Sequence, residues 1–528
     1  MKVFKVSNFL FKVISRSWFL FLGILFTVFF LTSTYVNYVT NQNLGYINYI
    51  KTQEFSLLSL ALSCSASIIF GLKLKDESIN YLISNKFNYF MSALIASIKL
   101  GVYICLIPLS YILMYIFTHK GITMPYIING LIEFTFTYIL CIICTSMLTT
   151  IICFLFEKTI IRVITSSIMI LITSSFNNTF FTSNKFIMAI LNILNVHEDF
   201  DYSLFNNFLG FNHDIRYILD KLIMLFILLI ILLIISIKFY KNTKYLKFIK
   251  SFILVFTILT ISSFIILYNS FTLVDNTEIF SYNNKIHQDI SIEEYKMNLN
   301  FGYKLKNEAT IKIKNNSENK IKEISFLLDN IFNVNNIKLN DKNLKFTHEN
   351  NKLNITLDNH LEKNSTVNLQ INYSGRVNHI DSVGNQYLIA NANSILLPID
   401  SLAWYPSIKQ DKDIKFDLNL NSKLKIKSNL NLDAKKNTLS GNSNSVFLIA
   451  GNLQTVNIDG YEISFPLDTN INELYTSLNF LKNDIKSLNL TESEKVQINN
   501  RKKILFSPIQ YATNSMIQVV DGTIVYII

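Results

Sequence analysis

The polar second half of this 528-residue chain contains no cysteine. All five thiols, Cys64, Cys105, Cys141, Cys144 and Cys153, fall before residue 271, so no disulfide framework holds the remainder together. Cys141 and Cys144 form a CxxC inside an apolar run. With no second pair to complete a zinc site, they read as small buried apolar residues. No GxxxxGK(S/T) phosphate loop occurs, which excludes ATP binding by that route. None of the seven histidines (His119, His197, His213, His287, His348, His360 and His379) lies in HExxH. The stretch "HENNK" at His348 puts Lys352 where the second histidine would stand, so a helix-borne zinc hydrolase centre is excluded. Nor does a small-x-small cleavage site follow the first apolar run, "LTSTYVNYVT". That run reads as a retained anchor rather than a signal peptide.

What is present divides in two. Residues 1–270 are long runs of Ile, Leu and Phe; residues 271–528 are rich in Asn, Lys, Asp and Ser. The net charge of +11 divides the same way, with 20 basic against 10 acidic residues before position 271 and 28 against 27 after it. The excess therefore belongs to the apolar half, where membrane orientation bias is its usual cause. No interleaving of aromatic and basic residues accompanies it, and nucleic acid is excluded as a partner.

About 20 apolar residues span a bilayer. Runs near that length predict seven spans, at 18–35, 55–72, 100–117, 126–156, 160–176, 222–239 and 252–268, the fifth carrying Arg162 near one end. With the N-terminus inside, the inner segments hold 15 Lys and Arg residues against five in the outer loops of this half. This is a positive-inside pattern, and seven crossings place residues 271–528 outside the cell in a bacterial cell membrane. The first 16 residues, "MKVFKVSNFLFKVISR", set Phe4, Leu10, Phe11 and Ile14 among basic residues. They predict a short amphipathic helix on the inner membrane face, in contact with lipid.

Three polar stretches interrupt the apolar half. "KLKDESINYLISNKFNYFMSALIASIK" lies between the second and third spans and carries Asp76, Glu77 and Lys86, with Lys99 at the mouth of the next span. Ile79, Leu82, Ile83 and Phe87 have helical spacing. The stretch is either a helix that transmits force from a cytoplasmic partner or a plain connector. Glu133, in "NGLIEFTFTYIL", is the one carboxylate well inside an apolar run. It is either a substrate-path residue or an interfacial one close to Pro125. "NVHEDFD" around His197 reads as a solvated acidic loop.

From residue 290 the period changes from helix to strand. Met297, Leu299, Phe301, Tyr303 and Leu305 alternate with polar residues. The same holds for Val367, Leu369, Ile371 and Tyr373, and for Ile414, Phe416, Leu418 and Leu420. Val456, Ile458, Tyr461, Ile463 and Phe465 nearly repeat the pattern. Such strands imply antiparallel sheets packed as a sandwich. After Pro466 the pattern turns helical, with Leu474, Leu478, Leu481, Ile485 and Leu488 on one face and an expected cap at Asn470 with Glu473. The fold class is thus an α-helical membrane bundle of about seven spans followed by an all-β, sandwich-like extracytoplasmic domain with a short α/β tail.

The order of basic amphipathic N-terminus, span, outer loop, span and short acidic inner helix, with Lys at the next span's mouth, resembles the type-2 ABC exporter permeases. The likeness covers about residues 1–245. Glu77 and Lys99 fall where that family begins and closes its inner helix, while the family's Gly-Thr and Pro are absent from "ESINYLISNKF". The resemblance implies a separate cytoplasmic ABC ATPase as partner, which would bind the ATP, and a second permease copy or a sister permease. The chain itself needs no cofactor. Residues 1–245 would form the permease domain and 246–270 its seventh span.

"LQINYSG", "SLAWYPSI" and "FLIAGNLQTVNIDGYEISF" resemble the N-terminal β-domain of aminopeptidase N-type zinc aminopeptidases. That likeness assigns 271–466 to a β-domain and 467–528 to the start of a peptidase-like α/β segment. In "NSMIQVVDG" Met516 is kept, but Ile517 stands where the family's amine-binding Glu belongs. The zinc motif is missing, so the chain is expected not to be an enzyme. Its ending is expected to mark a truncated product or a descendant that has discarded its peptidase. The expected function is a permease subunit of an ATP-driven exporter. The alternative is a membrane-anchored, inactive or truncated aminopeptidase-like binding module.

Overall fold

The computed structural model describes residues 2–16, 18–40, 86–118, 139–156, 215–239, 243–270, 290–380, 386–397, 403–408, 412–466, 471–488, 490–507 and 517–527, with isolated positions elsewhere. The chain divides into two compact units. The first comprises 1–204 and 213–272; the second comprises 205–212 and 273–528.

The first unit is helical. Val6, Leu10 and Ile14 recur every fourth residue and bring one face of α1 (Lys2–Ser15) into contact with α3 (Lys86–Thr118). Between them in sequence runs α2 (Trp18–Thr40), followed after α3 by α4 (Leu140–Leu155), α5 (Ile215–Phe239) and α6 (Thr243–Ser270). Small residues set the approach of α3 to α4. A Cβ on Gly101 would stand 2.3 Å from the Ile142 side chain, and Ser97 and Thr150 share a buried hydrogen bond at 3.1 Å. Close backbones and hydroxyl pairs of this kind join helices where no water drives association.

Three described helices are long and apolar enough to cross a membrane: Asn88–Thr118, Ile218–Ile237 and Leu246–Tyr268. A fourth arises if Val3–Ser15 and Leu20–Val36, bent by 68°, count as one broken span. Seven spans are therefore not supported. The run expected at 55–72 and most of that at 160–176 lie outside the described residues. Of the long fourth run, the described residues include the 16-residue helix α4, and much of the remainder lies outside them.

The second unit is rich in β-structure. Its largest sheet has the order β16-β17-β14-β3-β4-β10-β6-β7. In chain order these strands are β3 (Ile290–Phe301), β4 (Leu305–Asn315), β6 (Phe332–Leu339), β7 (Lys342–Asn343), β10 (Thr366–Gly375), β14 (Ile414–Asn421), β16 (Asn431–Asp433) and β17 (Thr438–Ser443). Facing it is a three-stranded sheet of β5 (Ile321–Leu327), β9 (Lys352–Leu361) and β8 (Lys345–Glu349). Their inner faces share one core, which includes Leu299, Ile311, Phe326, Ile355 and Ile371. A five-stranded sheet adds β11 (Val377–Ile380), β12 (Gln386–Ala390), β13 (Ile395–Leu397), β18 (Leu448–Ala450) and β15 (Lys427–Ser428).

Within these three sheets the pairing is antiparallel except where β14 runs parallel to β3, with Leu418 opposite Met297; in the C-terminal sheet the third strand is parallel to both of its neighbours. An all-antiparallel sandwich was the expectation. The difference arises because some 110 residues separate these strands, ample for the crossover that a parallel pair requires. Residues 403–408 thread through the core. Tyr295 donates to the carbonyl of Pro406, and Tyr373 to that of Trp404 at 3.1 Å. The rings of Tyr295 and Phe416 stack at 5.2 Å, with Tyr405 edge-on to both.

The C-terminal part has its own core. Five strands, β19 (Leu453–Ile458), β20 (Tyr461–Pro466), β21 (Lys503–Ser507), β23 (Thr523–Ile527) and β22 (Ile517–Val520), lie in that order. Between β20 and β21 run α7 (Ile471–Ser487) and α8 (Glu492–Arg501). Leu474, Leu478 and Leu481 of α7 are buried against the sheet. A two-stranded hairpin, β1 (Phe205–Asn206) and β2 (Gly210–Phe211), joins this core from the segment preceding α5. Phe208 at its tip is buried there, and its carbonyl accepts from the Asn452 amide at 2.8 Å.

Candidate functional site

The strongest candidate site in the helical unit is the junction of α1 with the first turns of α3. Leu10 and Ile14 of α1 bury against Tyr89, Ala93, Ala96 and Leu100 of α3, and small residues at 93 and 96 let the helices come close. Phe11 and Tyr103 pack with ring centroids 5.2 Å apart. Polar contacts fix the register. The Lys99 ammonium donates to the Asn8 side-chain carbonyl at 2.6 Å, and the Ser92 hydroxyl, bonded to the Asn88 carbonyl at 2.6 Å, lies 3.1 Å from the Val3 carbonyl. Lys5, Lys12 and Arg16 remain exposed on the other side of α1. These contacts join α1 to the first turns of a membrane-length helix.

The amphipathic N-terminal helix expected from the sequence is present, but its apolar stripe is used differently. Leu10 and Ile14 face protein, whereas Phe4 is exposed. Of the site residues expected from the sequence, Lys99 lies at this junction. Lys86 opens α3, and its side chain lies outside the described residues, as do Asp76, Glu77 and Glu133. The acidic loop at His197 lies outside them too. Asn8 was not foreseen, because nothing in the sequence links two residues 91 positions apart. Among the described residues, no three His, Cys, Asp or Glu side chains gather as a metal site.

In the β-rich unit a cleft of about 620 Å³ lies between β6 and β8. His348 lies on its wall. One ring nitrogen (Nε2) is 2.9 Å from the Leu328 carbonyl, an acceptor, so that nitrogen carries the proton. The expected cap at Asn470 lies outside the described residues. The capping box that is seen belongs to α8, where Thr491 accepts from the Glu494 amide and the Glu494 carboxylate accepts from the Thr491 amide. Its signature, "TESE", was readable. The bonds from Thr491 hold the Glu494 carboxyl below the usual carboxylate range.

No family model matches the sequence, and no curated protein matches it. Among solved structures, the chain is similar to an M1 zinc metallopeptidase from Deinococcus radiodurans. The identity is 11% and the TM-score 0.30, over 46% of this chain and 61% of that one. It is also similar to yeast LTA4 hydrolase in complex with bestatin, at 12% identity and a TM-score of 0.34, over 46% of this chain and 41% of that one. The match therefore spans less than two thirds of either protein.

Proposed function

We propose that this chain is the membrane-spanning permease subunit of an ATP-driven exporter, with its β-rich unit outside the cell. The observation that carries the reading is the locked junction of α1 with α3 through Asn8 and Lys99. A protein that used its apolar helices only as an anchor would need one span. It would have no use for a basic surface helix keyed to the mouth of another.

Chain order supports the topology. The β1–β2 hairpin, just before α5, belongs to the same compact unit as residues 273–528. Two apolar helices, α5 and α6, intervene, and two crossings return a chain to the side it left. Lys238, Lys241, Lys244 and Lys247 cluster where α5 gives way to α6, as expected of a turn on the cytoplasmic side. In this reading Glu77 and Lys99 bracket the inner segment on which a cytoplasmic ATPase pushes. ATP is bound and hydrolysed in that separate subunit, and a second permease copy or a sister permease completes the pathway.

The test is purification of the full chain in lipid nanodiscs with the ATPase encoded beside it, using Glu77→Cys for crosslinking. The expected result is a stable complex, a crosslink from position 77 and ATP hydrolysis altered by the permease. Failure to bind any ATPase, together with activity that needs no ATP, would overturn the proposal and leave the spans as an anchor.

A further inference from the structure

Three strands of the C-terminal sheet set Glu462, Lys503 and Thr523 in one row. Glu462 on β20 is in register with Lys503 on β21, and Lys503 with Thr523 on β23. Partners in register project from the same face of a sheet, on strands about 4.8 Å apart. Two residues further along, that face carries Leu505 and Val525, both fully buried. The row is thus a polar margin on a face that is otherwise covered.

Two further cations meet this margin. Lys427 of β15 lies 3.9 Å from the Glu462 carboxylate, and Arg501 of α8 binds Asp521, two residues before Thr523. Glu462 and Asp521 thus answer Lys427 and Arg501. The third cation has no such counterpart: among the described residues, the Lys503 ammonium has neither an ion pair nor a hydrogen bond. It is partly buried. Burial depresses its pKa, Glu462 opposes that shift, and Arg501 and Lys427 add to it. Beside it on the row, Thr523 is fully buried, and its hydroxyl has no partner among the described residues.

A partly desolvated ammonium without a counter-charge and a buried hydroxyl without a partner each cost stability. Water meets the hydroxyl but leaves the charge uncompensated. A carboxylate meets both. Its single negative charge answers the excess of three cations over two carboxylates, and its two oxygens accept from donors on adjacent strands. A phosphate monoester, carrying about −1.5 to −2 at neutral pH, would overshoot that excess beside Glu462. We propose that Lys503 and Thr523 form a binding site for the carboxylate group of a small molecule, the ammonium pairing with its charge and the hydroxyl donating to one oxygen. The proposal does not depend on the exporter reading.

The experiment uses the full chain in lipid nanodiscs at pH 7 and constant ionic strength, with acetate as the probe and chloride as its control. An amine-acylating reagent labels the lysines at trace level, and peptide mass spectrometry reads the rate at each position. Acetate is expected to slow labelling of Lys503 at least fivefold relative to chloride, with the exposed Lys435 unchanged. Thr523→Val keeps the side-chain shape, removes the donor and is expected to abolish most of that protection. Thr523→Ala serves if the valine variant fails to fold. Acetate should also raise the melting temperature of the wild-type chain but not that of Lys503→Met. Equal labelling in acetate and chloride would overturn the proposal and leave the row to water alone. Protection that survives loss of the hydroxyl, or protection by phosphate but not by acetate, would overturn it as well.

Discussion

Arg501, the last residue of α8, reaches the carboxylate of Asp521 at 2.6 Å across the turn between β22 and β23. Its guanidinium also donates to the Asp521 carbonyl at 3.3 Å, to the Asn429 carbonyl at 3.2 Å and to the Asn431 side chain. One side chain therefore ties the C-terminal α/β core to the strands at 429–431. A flat fork of five donors suits this task, and an ammonium does not. Gly522 lies beside the pair with φ +71°, and a Cβ there would meet the Gln497 carbonyl oxygen at 2.3 Å.

Arg501→Ala is accordingly expected to cost the β-rich unit about 1–3 kcal/mol, since it strands a half-buried carboxylate and two carbonyls. Arg501→Lys should recover only part of this. Gly522→Ala should cost a similar amount through clash and backbone strain. Denaturant unfolding followed by a probe in the C-terminal core measures all three. A neutral Arg501→Ala would show that the four bonds are individually replaced by water.

Phe208 supplies the second link. Its ring is buried in the C-terminal core, although it comes from the segment before α5. Removing a buried Phe ring costs about 3 kcal/mol. Phe208→Ala is therefore expected to destabilise that core by about this amount and to speed proteolysis after residue 453, with the α3–α4 contact unchanged. Proteolysis at graded denaturant checks it. The same loss caused by cutting the chain between 212 and 273 would show that the hairpin acts as a bound plug.

The β-structure of this chain was legible where burial alternates strictly. Leu369, Ile371 and Tyr373, and likewise Ile414, Phe416, Leu418 and Leu420, are all buried as the period of two required. Tyr303 broke the rule. Grouped by alternation with Phe301 and Leu305, it is 61% exposed, because the chain turns there and the ring instead lies under the Arg376 guanidinium at 5.2 Å. Hydropathy marks a side chain's preference but not the point where a strand bends. The helical face of α7 was also legible. Sheet order was not: which strands lie side by side is fixed by contacts far apart in sequence, as with β3 beside β14. The junction of α1 with α3 was legible from one side only. Lys99 was visible from its place at the mouth of a span, whereas Asn8, Phe208 and the cleft between β6 and β8 exist only in three dimensions.

The Lys99–Asn8 bond yields a prediction separable from simple stability. Both groups lie near the surface, so the bond adds at most about 1 kcal/mol to folding. Lys99→Met and Asn8→Ala should therefore leave the melting temperature nearly unchanged. If the pair carries force between α1 and α3, each variant should weaken the response of the partner ATPase by about fivefold, roughly 1 kcal/mol of coupling. The double variant should be no worse than either single one. Additive losses would show that the two residues act separately.

The last expectation concerns pH. Lys503 sits at the start of β21, opposite Glu462 on β20. Burial lowers its ammonium pKa from the usual value of 10.5; Glu462 opposes the shift, and Arg501 and Lys427 add to it. A lysine whose folded pKa is depressed binds fewer protons folded than unfolded, so stability rises as pH climbs through that interval. Lys503→Met, which keeps the stem and removes the charge, is expected to raise the melting temperature at pH 7 and to flatten the alkaline rise. Glu294 works in the opposite sense. The Lys415 bond at 2.9 Å, aided by Lys296 and Lys312, holds its carboxyl below the usual 4.5, partly offset by desolvation. Its contribution is full above about 4.5 and disappears as acid protonates the folded form. Glu294→Gln should therefore lower the melting temperature above about pH 4.5 and flatten only the acid slope, whereas Lys503→Met should raise it at neutral pH and flatten only the alkaline slope. Melting curves from pH 3 to 10 separate the two, and a single variant that altered both slopes would show that they report one coupled network.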